Sequence, residues 1–160
     1  MYISDISAWC KISFSDYSNP LFYAHHLYLG EEEIKDLVIP NGLTSIGSHA
    51  FEGCSGLTSV KIPHSVTSIG YYAFFNCRGL KSVYISDLET WCKISFSDYS
   101  NPLFYAHHLF LGEEEIKDLI IPNGMTSIGS HAFEGCSSLA SVTIPNSVTN
   151  IENYTFRYCI

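Results

Sequence analysis

A thiol beside an imidazole is the working pair of cysteine nucleophiles, because a protonated ring lowers the thiol pKa. This chain offers the pair twice, His49 with Cys54 and His131 with Cys136. The same column continues with tyrosine in place of histidine, as Tyr72 with Cys77 and Tyr154 with Cys159. The histidine is therefore dispensable to the cysteine, and the pairs read as structural. The six cysteines could instead form disulfides or hold a metal, but the spacing shows no Cys-x-x-Cys. Four of them, Cys54, Cys77, Cys136 and Cys159, recur once per repeat at an apolar position, as packing alone would give, so the expectation is buried free thiols. Neighbouring coils stack at roughly 5 Å, so distance does not exclude a Cys54–Cys77 bridge, whereas parallel Cβ vectors disfavour it.

The best metal candidate is His25-His26 with Glu31, Glu32 and Glu33, repeated as His107-His108 with Glu113, Glu114 and Glu115. Imidazoles and carboxylates are competent ligands. Adjacent histidines of an extended segment point to opposite faces, so at most one of each pair could join a site. The expectation is a solvated acidic turn beside polar histidines. No carboxylate pair, nucleophile or phosphate loop stands outside the repeating pattern, so the chain is expected to be non-enzymatic, without cofactor or metal.

The elements that must position these residues are periodic. Leu57, Val60, Ile62, Pro63, Val66, Ile69, Ala73, Phe74 and Cys77 recur one period earlier as Ile34, Leu37, Ile39, Pro40, Leu43, Ile46, Ala50, Phe51 and Cys54, and again in 116–138 and 139–160. A period of 23 lies in the leucine-rich-repeat range. Within a coil, Leu57 to Ile62 reads as a strand stopped by Pro63, Val66 and Ile69 as a second extended segment, and Ala73, Phe74 and Cys77 as one helical or 3₁₀ turn. One coil cannot bury its apolar set alone, so stability must come from stacking. The fold class expected is a predominantly β repeat solenoid of leucine-rich-repeat type: short parallel strands stacked, with short helical turns.

Residues 1–78 align with 83–160 without a gap and differ at 18 positions. The chain is thus a duplicated 82-residue unit, and the coils divide as 1–33, 34–56, 57–79, 80–115, 116–138 and 139–160. In the long coil, Ser86-Asp-Leu-Glu89 has capping-box spacing ahead of Leu88, Trp91 and Cys92, and Asn101-Pro102 is placed to open a turn through Ala106. Leu109 to Leu111, the acidic turn Gly112 to Glu115, and Ile116 to Ile121 read as a hairpin. Met1 enters mid-repeat and Ile160 falls inside a turn, so the chain reads as a piece of a longer array. Its open apolar columns lead to the expectation of end-to-end self-association.

A net charge of −8 argues against a nucleic-acid partner, since binding there needs Lys and Arg on phosphates. No apolar run is long enough to cross a bilayer, so no membrane insertion is expected in this segment.

The phrases VTSIGYYAFFNC, LTSVKIP, DLETWCKISF and HLFLGEEEIKDLIIP resemble the BspA-type, or treponemal, leucine-rich repeats of surface proteins in bacteria and some protozoan parasites. The resemblance covers essentially all of the chain. It implies an extracellular or cell-surface array used in adhesion or in binding a host or matrix protein, and it carries over no catalytic residue.

Two surfaces are candidates for that protein ligand. The outward positions of the strands form a row, Tyr2, Val38, Lys61, Tyr84, Ile120 and Thr143, although β-branched and aromatic residues favour strands regardless of function. The aromatic loop Phe14 to Ala24, with Tyr17, and its copy Phe96 to Ala106, with Tyr99, departs from the minimal coil as insertions on binding faces do. The alternative function is a structural spacer or stalk within a larger surface protein.

Overall fold

The computed structural model describes residues 1–159. The chain opens with β1 (Tyr2–Ile3), α1 (Ile6–Cys10), α2 (Leu21–Ala24), β2 (Tyr28–Leu29) and β3 (Glu32–Glu33). The two short coils that follow carry β4 (Asp36–Val38), β5 (Ser45–Ile46), β6 (Ser59–Ile62) and β7 (Ser68–Ile69). The second long segment holds β8 (Ser82–Ile85), α3 (Leu88–Lys93), α4 (Leu103–Ala106), β9 (Leu109–Leu111) and β10 (Glu114–Glu115). The last coils carry β11 (Asp118–Ile120), β12 (Ser127–Ile128), β13 (Ser141–Thr143) and β14 (Asn150–Ile151).

Strand pairing follows the repeat. Leu37 faces Val60, Val60 faces Val83, Ile46 faces Ile69 and Leu119 faces Val142, all in parallel pairs one short-coil period apart. The inward columns are sealed: Leu37, Val60 and Val83 are buried, and Phe51 stacks on Phe74 with centroids 5.3 Å apart. Burying a side chain of that size is worth about 1.5–3 kcal/mol, gained here only against the next coil. The cysteines pack in the same columns as free thiols, and Cys77 Sγ donates to Phe51 O of the preceding coil at 3.1 Å. A small apolar side chain that can still donate satisfies a carbonyl where leucine could not.

The turn after the second strand differs from the helical or 3₁₀ turn that the spacing predicts. Residues 70–77 form consecutive hydrogen-bonded turns, Ala73 N to Gly70 O, Phe75 N to Tyr72 O and Cys77 N to Phe74 O. Tyr72 and Asn76 are left-handed, with φ of 56° and 60°. Two left-handed residues per coil break any helix and swing the chain back toward the next strand. Gly47, at the bend, lies so close to the preceding coil that a Cβ there would sit 2.0 Å from Ile12 O.

The long segment departs most from expectation. Val83 pairs with Leu109, so the coil closes there, only a little beyond the short-coil period. The return strand of the hairpin is β10 itself, Glu114 opposite Leu111, rather than Ile116 to Ile121. The latter belongs to the next strand, β11, which pairs only with β13. The strand face is thus cut into three sheets, β1-β2-β3, β10-β9-β8-β6-β4 and β11-β13. Across each cut the opposite side of the coil stays joined. Gly47 N donates to Cys10 O, Gly129 N to Cys92 O, Trp9 Nε1 to Ala50 O and Trp91 Nε1 to Ala132 O. The cap of α3 is Asp87, whose Oδ1 accepts from Thr90 N, while Ser86 Oγ instead accepts from His64 N. Asn101 behaves as expected: its Oδ1 accepts from Leu103 N, with Pro102 helical behind it.

Candidate binding surfaces

The predicted outward row is not continuous. Tyr2 is paired with Tyr28, Val38, Lys61, Tyr84 and Phe110 form one strip, and Ile120 with Thr143 forms another. The hairpins interrupt the row, and Tyr28 and Phe110, absent from the predicted set, complete it locally. Tyr2 stacks on Tyr28 at 4.8 Å and Tyr84 on Phe110 at 4.7 Å. Val38, Lys61 and Tyr84 line a groove of about 550 Å³, and Gly112 and Glu113 of the hairpin tip line it too. Val38 and Ile120 are exposed by 58% and 65%, so each strip presents apolar area to solvent.

Tyr17 and Tyr99 lie in a second kind of site, one per duplicated unit. A cleft of about 250 Å³ is lined by Asp16, Tyr17, Phe22, His49, Glu52 and Tyr72. Its counterpart, about 240 Å³, is lined by Asp98, Tyr99, Phe104, Glu134, Tyr154 and Arg157. The loop is anchored by a fully buried asparagine. Asn19 Nδ2 donates to His49 O and Ala50 O, and Asn101 Nδ2 to His131 O and Ala132 O at 2.8 and 3.0 Å. Backbone strain concentrates here: Tyr17, His49, Tyr72, Tyr99, His131 and Tyr154 all have φ between 56° and 59°. Bulky residues held in the left-handed region persist only where surroundings over-determine them, and they cluster at functional sites.

In each unit an imidazole sits between two carboxylates that line the cleft. His49 Nδ1 is 2.6 Å from Glu52 Oε2 and Nε2 is 3.4 Å from Asp16 Oδ1; His131 repeats this with Glu134 at 2.5 Å and Asp98 at 3.5 Å. Both ring nitrogens of His49 therefore engage carboxylates rather than Cys54. The His-x-x-Glu spacing was legible, but pairing the histidine only with its cysteine hides it, and Asp16 arrives from a loop in the preceding coil.

No thiol is poised for attack. Burial pushes Cys10, Cys54, Cys92 and Cys136 up to about 12 and Cys159 to about 11, and it raises Cys77 well above the ordinary thiol range. The side-chain hydrogen bond between Tyr72 and Tyr71, which favours the protonated Tyr72, together with burial holds that phenol up at about 12, so it stays neutral.

The adjacent histidines part company by a different route from the one predicted. His25 is the left-handed cap of α2 rather than an extended residue, and its Nδ1 lies 3.0 Å from Gly53 O. His26 Nδ1 pairs with Glu33 Oε1 at 2.6 Å, and His107 and His108 behave likewise with Gly135 O and Glu115. No group of three or more His, Cys, Asp or Glu converges to hold a metal among the described residues. Nor, among them, is any helix long and apolar enough to cross a membrane.

A family model described as BspA type leucine rich repeat region matches residues 25–103 and 105–160, in six copies. No curated protein matches the chain. Among solved structures, a leucine rich cell surface protein from Faecalibacterium prausnitzii A2-165 is 36% identical over 82% of this chain and 31% of its own, with a TM-score of 0.41. A leucine-rich repeat protein from Bacteroides ovatus is 27% identical over 79% of this chain and 35% of its own, at 0.46. The T. pallidum leucine rich repeat protein is 26% identical over 79% and 55%, at 0.38. The chain spans about a third of the length of the first two of these.

Proposed function

The chain belongs to the BspA type leucine-rich repeat family, and from that membership we propose that it is a non-enzymatic protein-binding scaffold displayed at a cell surface, acting in adhesion or host interaction. Solenoids of this kind use extended regular surfaces for binding. The observation that carries the reading is the Val38–Lys61–Tyr84–Phe110 strip. It places an exposed valine, a lysine and Tyr84 along a groove of about 550 Å³, with Phe110 stacked on Tyr84 beside it. Aromatic residues dominate the energy of protein contacts because they bury much area at little entropic cost. The surface location comes with the family resemblance that the repeat phrases carry.

The test is capture of surface or matrix proteins on the immobilised chain, followed by titration of the captured protein, purified, against variants. Loss of binding in Tyr84→Ala, with binding retained when Tyr17 and Tyr99 are both changed to Ala, assigns the strip. Loss in the Tyr17/Tyr99 double variant, with each single change lowering avidity, assigns the repeated loops and a multivalent partner instead. Capture of nothing leaves the spacer reading.

A further inference from the structure

The two clefts are built from identical loops, yet their mouths differ at three positions, Tyr71, Phe75 and Asn76 in the first unit against Asn153, Arg157 and Tyr158 in the second, and one of these changes alters the charge. Phe75 in the first unit is Arg157 in the second. In the second cleft that arginine stands at the cleft wall against the buried carboxylate. Its Nη1 lies 3.6 Å from Glu134 Oε1, and its guanidinium carbon stands 5.1 Å from the Tyr154 ring centre and 4.4 Å from that of Tyr158. The cation is held between aromatic faces and a carboxylate that is only 4% exposed.

The first cleft keeps the carboxylate, its histidine and the tyrosine in place of Tyr154, has Asn76 where the second has Tyr158, and lacks the cation. Glu52 is as buried as Glu134, at 4%, and its Oε2 makes the same bond to the histidine. Its Oε1 has no ion-pair or hydrogen-bond partner among the described residues, and it is not sealed from solvent, so it opens on the cleft. Tyr72 remains in the place of Tyr154, Tyr71 adds a second ring 4.1 Å from it, and Phe75 packs against Tyr72 and Tyr99. His131 holds Glu134 while Arg157 is present, so His49 on Glu52 is no obstacle to a cation.

We propose that the first cleft binds the guanidinium of an arginine side chain presented by a partner protein, against the carboxylate and tyrosine that correspond to those Arg157 meets in the second. A cleft of about 250 Å³ is below the size of drug-like pockets and suits one side chain. A planar, weakly hydrated guanidinium stacks on tyrosine and meets a buried carboxylate at lower desolvation cost than an ammonium. The net charge of −8 draws cationic partners.

Calorimetric titration with the peptide acetyl-Gly-Arg-Gly-amide tests this on the whole chain, with lysine and citrulline peptides as controls. The expected result is one equivalent of arginine peptide per chain, bound at least about tenfold more tightly than either control. Phe75→Arg, which supplies the cation internally, abolishes binding. Glu52→Gln, which keeps the shape and removes the charge, weakens it about tenfold. Arg157→Phe frees Glu134 of its internal cation and raises the count to two. Absence of arginine binding, equal binding of citrulline or lysine, or binding unchanged in Phe75→Arg overturns the proposal, and a count that stays at one in Arg157→Phe overturns the equivalence on which it stands. The titration does not involve the sheet groove, so its failure leaves the groove reading intact.

Discussion

Replacing Asn101 by alanine should cost far more than a surface polar change. The side chain is 2% exposed and makes three bonds, accepting from Leu103 N at 2.9 Å and donating to His131 O and Ala132 O. Both carbonyls keep another donor, Glu134 N for the first and Trp91 Nε1 for the second, so the group left orphaned is the buried Leu103 N–H. At about 1 kcal/mol per bond the loss is about 3 kcal/mol, with the orphaned donor at the upper end of that scale. For a slope of about 2 kcal/mol/M this moves a urea midpoint by about 1.5 M. Asn19 makes the same three bonds in the first unit, so Asn19→Ala should match within about 0.5 kcal/mol, and the two changes, in separate loops, should add. Equilibrium urea unfolding followed by far-UV circular dichroism measures all three variants. A loss below about 1 kcal/mol, or a twofold difference between the two singles, refutes the reasoning, because it would mean that water or loop relaxation replaces these bonds.

The native protein should react slowly with a thiol reagent at pH 8, since burial pushes most of the thiols to about 12, and six thiols should titrate after denaturation without reductant; fewer would reveal disulfides. Cys77→Ala should cost about 1–3 kcal/mol in the same urea assay, through a small cavity and the loss of its bond to Phe51 O, and a neutral result would count against the thiol column. Gly47→Ala drives a Cβ to 2.0 Å from a backbone oxygen that cannot move aside, so it should destabilise by more than about 2 kcal/mol, whereas Gly42→Ala, in open space at φ +85°, should cost about 1 kcal/mol from the backbone alone; the reverse order would refute the close approach. Val142, Ile144 and Ile151 are 39–44% exposed where Val60, Ile62 and Ile69 are buried, so the 160-residue chain should self-associate as its concentration rises in sedimentation velocity, and Val142→Lys with Ile144→Lys should suppress it.

The solenoid was legible because its signal is periodic: Leu, Val, Ile, Phe and Cys at fixed phase leave one way to bury them. The two binding surfaces were half legible. Tyr17 and Tyr99 stood out as aromatic insertions, and Val38, Lys61 and Tyr84 followed from strand alternation. Tyr28 and Phe110 did not, because they sit on strands that pair out of step with the short-coil period, and only hydrogen bonding reveals where that coil closes. The chemistry of the cleft was hidden for a similar reason. Glu52 is local to His49, but Asp16 reaches it through a loop whose course depends on one buried asparagine.

The acidic hairpins have a bearing on how a strand ladder ends. A parallel ladder ordinarily leaves an unpaired edge that must find a matching strand, and an unmatched edge invites aggregation. Here the ladder ends within each unit, on the antiparallel return strand Glu114–Glu115, and the junction to the next unit is made by tryptophan, glycine and asparagine contacts on the far side. The five-stranded ladder therefore carries a charged hairpin as the stop at one end, with β4 as the strand at the other.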